Sequence, residues 1–137
     1  MRNRAAVLLA VLSLLVSSLA CALGNRELGL TNLRMAFDQN GENETTTYSP
    51  TDVFYAVADL ANAPQGTQVE ARWIAVNAAD TEPNQEFQTQ TLDITEERFN
   101  GTIYFQLSSD AAWPTGQYRV DMYLDGTLVE SAEFSVQ

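Results

Sequence analysis

The strongest constraint on the fold of this chain is the spacing of its apolar segments. From Leu30 onward, runs of five to ten residues that are apolar, or that alternate between apolar and polar, are separated by short turn sequences. The first run, LTNLRMAFD, would place Leu33, Met35 and Phe37 on one face. Short segments at this spacing, without helical periodicity, are typical of an antiparallel all-β structure in two layers. The pattern predicts a β-sandwich of about seven strands over residues 30–137.

Three of the segments can be assigned to places in a sheet. In QVEARWIAV the apolar residues alternate with polar ones, so one face is predicted to contact the core. These apolar residues are Val69, Ala71, Trp73 and Ala75. VFYAVADL is apolar on both faces apart from one aspartate, which favours a central strand, whereas EFQTQTLDI has a thin apolar stripe, which favours an edge. The sequence TEERFNG predicts a turn that holds one helical turn.

A hairpin near the C-terminus is the clearest local prediction. The dipeptide Asp125-Gly126 separates QYRVDMYL from TLVESAEFSV. Asp-Gly between two β-rich runs favours a two-residue turn, because both central residues need positive φ. The apolar residues after the turn break the period of two, so we expect a bulge near Glu130.

The order of these segments resembles an immunoglobulin-like or fibronectin-like sandwich. The features are a tryptophan in the third strand, GQYRV at the start of the penultimate strand, and a hairpin ending in apolar-x-apolar. The resemblance implies that Trp73 is the core tryptophan and Tyr118 the tyrosine corner. The positions of the antibody disulfide, near Val57 and Val120, are apolar here, which excludes an antibody-type domain. Since this sandwich has many unrelated roles, the resemblance implies the fold and no particular activity.

The N-terminal segment has the layout of a secretory signal peptide. Arg2 and Arg4 precede an apolar run from Ala5 to Val16, and small residues follow. This run is about 12 residues long, whereas a membrane-spanning helix needs about 20. We therefore expect residues 1–22 to be a signal peptide and the remaining chain to be extracytoplasmic.

Two modes of processing compete at the end of this segment. Ala20 and Ala22 satisfy the A-x-A rule, so a cut after Ala22 would release a freely secreted or periplasmic domain. The sequence SLAC resembles the bacterial lipobox, although the two residues before Ala20 depart from its usual form. Because Cys21 is the sole cysteine and has no disulfide partner within the chain, we favour lipidation of Cys21. Residues 23–29 would then be a short tether to the membrane.

The charge and the residue types limit the classes of function. The net charge is -11 at pH 7, and the chain contains seven arginines but no lysine and no histidine. Such an acidic chain is repelled by nucleic acid and by anionic lipid. Without histidine, lysine or a thiol beyond the leader, no activated nucleophile and no zinc ligand set is evident. Paired carboxylates, as in glycosidases, remain formally possible among the 18 acidic residues, but nothing distinguishes one pair. We therefore expect a protein that is not an enzyme and needs no cofactor. We also expect a monomer.

One acidic segment has the composition of a calcium loop. In DQNGENE, the candidate calcium ligands are the side chains of Asp38, Asn40, Glu42 and Glu44. Carboxylates, amide carbonyls and a glycine are what Ca²⁺ loops use, but Gly41 is fourth here, whereas the EF-hand has glycine sixth. The segment overlaps the polar loop QNGENETTTYSPTD, so the alternative interpretation is a solvated turn between strands, and we favour it.

Aromatic residues outside the predicted core are the remaining candidates for binding. Tyr104 and Tyr123 alternate with core residues and should face outward, and Trp113 lies in a loop next to Pro114. Such side chains stack on sugars or anchor a protein partner, although Trp113 could instead close the end of the sandwich. The lipobox-like leader followed by a single sandwich domain resembles small bacterial surface lipoproteins. Together with the outward-facing aromatic residues, these features favour a lipid-anchored binding or interaction module whose partner is a protein or glycan at the cell surface. The alternative is a structural or accessory envelope component without a discrete ligand.

Overall fold

The structure, a computed structural model, describes residues 27–137, so the predicted signal peptide, Cys21 and most of the tether lie outside the described residues. Eight strands and no helix are present in this range, and none of it could form a membrane-spanning helix. The strands are β1 (Gly29–Ala36), β2 (Thr47–Tyr48), β3 (Phe54–Pro64), β4 (Gln68–Ala78), β5 (Gln85–Asp93), β6 (Arg98–Leu107), β7 (Gly116–Leu124) and β8 (Thr127–Val136).

The strands form two sheets that are not closed into a barrel. One sheet has the order β1-β3-β6 and the other the order β2-β8-β7-β4-β5. Neighbouring strands are antiparallel except β2, which is parallel to β8. In the immunoglobulin scheme, β1, β3 and β6 correspond to strands A, B and E, and β4, β7 and β8 to strands C, F and G. The predicted immunoglobulin-like β-sandwich is confirmed.

The places predicted for individual strands agree with this topology. β3 is central in its sheet, and β5 is at the edge of the other. The β7–β8 hairpin turns at Asp125 and Gly126, whose φ angles are 48° and 84°. Met122 pairs with Glu130 and Tyr123 with Leu128, so Val129 is the extra residue of a bulge next to the position expected.

Two local predictions were wrong. The segment predicted as a helical turn has none: Gln65 donates its backbone N–H to the carbonyl of Glu97 at 3.3 Å, and β6 already begins at Arg98. Phe37 was expected to share one face of the first strand with Leu33 and Met35, but β1 ends at Ala36, Met35 is buried and Phe37 is 50% exposed. Its ring lies edge-on to Tyr48, with 5.3 Å between the ring centroids.

The strand β2 was not predicted, because the segment containing it reads as a polar loop. Tyr48 is nevertheless buried, and its hydroxyl donates to the carbonyl of Ala36 at 2.7 Å. This bond attaches the end of β1 to the strand that lies beside β8. The hydrogen bond satisfies a polar group in the core, where leaving it unpaired would cost about 1–3 kcal/mol.

Aromatic rings fill the core between the sheets. Phe54 is fully buried and is the centre of the cluster, with its ring 4.9 Å from that of Phe134 and 6.3 Å from that of Trp73. Trp73 is also fully buried, and its indole N–H donates to the Gln90 side-chain oxygen at 2.8 Å. Gln90 in turn donates to the backbone carbonyl of Gln106 at 2.8 Å, which links β5 of one sheet to β6 of the other.

Candidate functional site

The N-terminal end of the described chain lies at one end of the sandwich. Gly29 at the start of β1 pairs with Ala61 near the end of β3, and the Asn62 side chain donates to the carbonyl of Glu27 at 3.1 Å. The turns between β3 and β4 and between β5 and β6 lie at this same end. We call this the tether end, since any N-terminal attachment would hold the domain here.

The opposite end, which we call the distal end, is formed by residues 49–54, 78–85 and 107–116. β3 has 11 residues and runs from one end to the other. At about 3.3 Å per residue, its two ends are about 30 Å apart. The distal end therefore lies about 30 Å from the residues at which the described chain begins.

A pocket of about 320 Å³ lies at the distal end, between the β4–β5 loop and the segment that precedes β7. Its aromatic wall contains Phe87, Trp113 and Tyr118. Its polar rim contains Asp80, Thr81 and Gln85. Small-molecule and cofactor sites are typically apolar concavities of about 300–1,000 Å³ with a few polar groups, so the volume of this pocket lies at the lower end of that range.

Trp113 is fixed in the pocket wall by contacts on several sides. Its ring stacks on Phe54 with 4.7 Å between centroids, and its indole N–H donates to the backbone carbonyl of Asp52 at 3.0 Å. Its backbone N–H donates to the carbonyl of Pro50 at 2.8 Å. Trp113 thus closes the end of the sandwich and also forms part of a pocket. Its position is compatible with both interpretations, a residue that closes the sandwich and an aromatic residue that binds a ligand.

The second part of the wall depends on Tyr118 and Gly116. The Tyr118 hydroxyl donates to the carbonyl of Pro114 at 2.6 Å, which is the geometry of a tyrosine corner. Burial raises the pKa of Tyr118, so this hydroxyl stays protonated well above neutral pH. Gly116 has a φ of 146°, and a Cβ there would lie 2.5 Å from the Ala78 Cα. Glycine is therefore required for the close approach of the two segments that flank the pocket.

The rim offers both an acceptor and a donor. Within residues 27–137, no hydrogen-bond or ion-pair partner engages the Asp80 carboxylate. The side-chain oxygen of Gln85 accepts the backbone N–H of Glu82 at 3.3 Å, which leaves its amide N–H groups for other acceptors. The Thr81 hydroxyl donates to the carbonyl of Ala78 at 2.9 Å. A ligand in the pocket could therefore meet a carboxylate and an amide beside aromatic rings.

Phe87 and Asp80 were not singled out from the sequence. Trp73 pairs with Gln88 and Ile74 with Glu86, so Phe87 is the extra residue of a bulge in β5. A bulge changes which side chains face inward, and no residue pattern in EFQTQTLDI indicates its position.

The other aromatic candidates lie on different surfaces. Tyr104 is 44% exposed on the outer face of the three-stranded sheet, with its ring centroid 6.2 Å from that of Tyr55. Tyr123 lies on the outer face of the five-stranded sheet, where the Arg72 guanidinium is 4.0 Å from its ring centroid. The structure therefore does not bring Tyr104, Trp113 and Tyr123 together into one site.

The loop considered for calcium is organised by its own backbone. The Asp38 carboxylate accepts the backbone N–H groups of Glu42 at 3.2 Å and Asn43 at 3.0 Å. Such bonds are typical of a turn in which an aspartate caps the following residues. Over the described range, no three or more Asp, Glu, His or Cys side chains are grouped so that they could hold a metal ion.

A guanidinium occupies the inner side of this loop. Arg34 donates to the carbonyls of Gly41 at 3.3 Å and Asn40 at 3.2 Å, and its Nε lies 3.9 Å from a Glu44 carboxylate oxygen. A Cβ at Gly41 would lie 2.9 Å from the Arg34 Cζ, and Gly41 has a φ of 70°. The loop is thus folded around an internal cation, and the geometry favours the interpretation as a turn.

Comparisons with known proteins identify the fold and no family. No protein-family model and no curated protein matches this chain. Among solved structures, it is similar to an alkylpurine DNA glycosylase AlkC from Pseudomonas fluorescens bound to DNA containing an abasic-site analogue. The TM-score is 0.53 at 12% identity over 82% of this chain and 31% of that chain.

Two glucosidases give comparable likenesses. A β-glucosidase from Erythrobacter marinus has a TM-score of 0.55 at 11% identity over 81% of this chain and 15% of that chain. A β-glucosidase from Listeria innocua has a TM-score of 0.51 at 14% identity over 80% of this chain and 16% of that chain. The chain thus spans less than a third of each of these three proteins, and identities this low show a shared fold alone.

Proposed function

We propose that this protein is a non-catalytic, extracytoplasmic binding module that is held at the cell surface by a lipid on Cys21 and recognises a protein or glycan through the distal pocket. The observation that carries this proposal is the position of the pocket. It lies about 30 Å from the end where an N-terminal attachment would hold the domain. A ligand outside the cell could therefore reach the pocket without approaching the membrane.

The rigidity of the pocket supports a role in recognition. Trp113 and Tyr118 each donate a hydrogen bond to a backbone carbonyl, at 3.0 Å and 2.6 Å, and both rings pack on Phe54. Side chains fixed in this way lose little conformational entropy when a ligand binds, so more of the contact energy appears as affinity. The loops of the distal end are thus preorganised by the core beneath them.

The polar groups of the pocket favour binding over catalysis. Its lining contains one carboxylate, that of Asp80. Hydrolysis of a glycosidic bond generally requires two carboxyl groups that flank the bond. Lacking the second carboxyl group, the pocket is better suited to hold a ligand than to cleave it.

A second candidate is an accessory domain without its own ligand. The observation that favours it is that the matching regions of the DNA glycosylase and the β-glucosidases are less than a third of much longer chains. In that case the chain would contribute structure or spacing to an envelope assembly.

Ligand arrays with a pocket-filling variant test the binding proposal. Thr81→Trp places a large ring at the pocket rim, and the matched control Thr95→Trp places the same ring on an exposed residue at the tether end. Glycan and peptide arrays should give ligands that bind the wild type and the control but not Thr81→Trp. If no ligand distinguishes the two variants, the accessory-domain candidate is the better account.

The anchor is tested separately by mass spectrometry of the mature N-terminus and by cell fractionation. Lipidation predicts an acylated Cys21 at the N-terminus, and Cys21→Ser should move the protein from the membrane fraction to the soluble fraction. A mature protein that begins at Leu23 without an acyl group contradicts the anchor and supports free secretion.

A further inference from the structure

We infer that the ligand group entering the distal pocket is a cationic side chain, arginine or lysine, of a partner protein. This inference rests on the proposed function, because it names the ligand class of the same pocket. The alternative ligand is a neutral oligosaccharide, and the experiment described below distinguishes it from a cationic side chain.

The two segments that flank the pocket carry negative charge alone. Residues 79–84 and 108–115 contain Asp80, Glu82 and Asp110, and neither segment contains an arginine, lysine or histidine. Because the Asp80 carboxylate lines the pocket and has no partner among the described residues, a bound cation would meet a free opposite charge there. A neutral ligand would gain no such attraction from the exposed Asp80 carboxylate.

The arginines of the described chain do not supply this cation. Arg34, Arg72 and Arg119 are each paired with a carboxylate on an outer face of a sheet. Arg98 lies at the start of β6, at the tether end. The charge at the distal end is therefore available to a group from outside the domain.

The chain contains an internal example of the arrangement that we infer for the complex. The Arg72 guanidinium lies 4.0 Å from the Tyr123 ring centroid and is hydrogen-bonded to the Glu70 carboxylate. A guanidinium between an aromatic ring and a carboxylate gains both a cation–π interaction and a charge-assisted hydrogen bond. The distal pocket presents the same two kinds of partner, with Trp113 as a ring and Asp80 as the carboxylate, but no arginine of residues 27–137 is among its lining residues.

The shape of an arginine or lysine side chain suits this pocket. Its aliphatic stem can pack against the apolar wall formed by Phe87, Trp113 and Tyr118 while its charged head remains at the polar rim. A second copy of this chain is a poor occupant, because each copy carries a net charge of -11 and would repel the other. A basic partner would instead be attracted at long range, which increases the rate of association.

Isothermal titration calorimetry with two matched peptides tests the ligand class. The probes are Ac-Gly-Gly-Arg-Gly-Gly-NH₂ and the same peptide with citrulline, which has nearly the shape of arginine but no charge. The arginine peptide should bind the full chain at least about tenfold more tightly, which corresponds to about 1.4 kcal/mol. Raising the sodium chloride concentration should reduce this preference, because salt screens charge interactions.

Two charge-neutralising variants locate the effect. Asp80→Asn should remove most of the preference for arginine, and it should preserve the loop, because Asp80 has a φ of 57° and asparagine tolerates this conformation. The control Glu96→Gln removes the same charge from an exposed residue at the tether end and should leave the preference unchanged. Circular dichroism spectra that match the wild type would show that both variants fold.

Three outcomes would overturn the inference. The first is equal affinity for the two peptides, and the second is equal loss of preference in Asp80→Asn and Glu96→Gln. The third is that an oligosaccharide on the array binds in a manner blocked by Thr81→Trp while the arginine peptide does not bind. That third result contradicts the cationic ligand but leaves the distal pocket as the binding site, whereas arrays without any pocket-dependent ligand contradict the proposed function itself.

Discussion

Replacing Gln90 by methionine should destabilise the sandwich by about 2 kcal/mol, although Gln90 is a half-buried residue on an edge strand. In the native structure the fully buried Trp73 donates its indole N–H to the Gln90 side chain at 2.8 Å. Methionine nearly preserves the volume of glutamine but removes both the acceptor and the donor. The perturbation therefore isolates two hydrogen bonds from the packing of the side chain.

The magnitude follows from the surroundings of the two bonds. The Trp73 indole N–H would remain buried without an acceptor, which costs about 1–3 kcal/mol. The carbonyl of Gln106, which loses the second bond, belongs to an exposed residue on an edge strand and can be hydrated instead. Nearly all of the expected loss thus comes from the indole.

A double-mutant cycle tests this assignment by urea denaturation followed with circular dichroism. In a Trp73→Phe background there is no indole N–H to leave unpaired, so Gln90→Met should then cost about 0.5 kcal/mol or less. The expected coupling energy is about 1.5 kcal/mol, within the range for residues in contact. If the two substitutions are additive to within about 0.5 kcal/mol, the hydrogen bond is not what Gln90 contributes, and the reasoning is refuted.

Three further perturbations follow from the structure. Gly116→Ala should lower the free energy of unfolding by about 3 kcal/mol or more, because the strained φ of 146° adds to a clash with Ala78. The control Gly29→Ala has open space around the added Cβ and should cost less than about 1 kcal/mol. Thermal unfolding measures both. Burial raises the pKa of Tyr48 in the folded state, so the contribution of this residue to stability is complete below pH 10.0 and is lost as the pH rises further. In Tyr48→Phe, the free energy of unfolding should therefore fall less steeply with rising alkaline pH. An unchanged slope would contradict this. Sodium chloride should raise Tm by screening carboxylate repulsion, and Ca²⁺ and Mg²⁺ at equal ionic strength should act alike; an added effect of Ca²⁺ that Asp38→Asn abolishes would instead establish a calcium site.

The sequence was sufficient to predict the fold because the pattern of the strands is local. The alternation around Trp73 and the Asp125-Gly126 turn depend on neighbouring residues, so they can be recognised without knowing what packs against them. The strand β2 could not be predicted, because its two residues become a strand by pairing with Ser135 and Val136 of β8, which are far away in the sequence. Its assignment depends on tertiary contacts and not on periodicity.

The candidate site was predictable only in part, because tertiary contacts bring most of its residues together. Trp113 was recognised because tryptophan in a loop is conspicuous, but the residues that complete the pocket could not be identified. Phe87 contributes to the pocket wall because of a bulge in β5. Asp80 lies at the rim in the β4–β5 loop, where its own backbone is left-handed. The position of Arg34 was also not predictable, because nothing in the sequence of the acidic loop indicates that an arginine from β1 would bind its carbonyl groups.

The most direct test of the account is to map the binding surface by NMR. The ¹H–¹⁵N spectrum of the labelled protein would be recorded during titration with the ligand that the arrays identify. Binding at the distal pocket predicts that the perturbed amides cluster in residues 78–87 and 108–118, including the Trp113 indole N–H. Perturbations centred on Tyr104, on Tyr123 or on the tether end, with the distal residues unchanged, would contradict it.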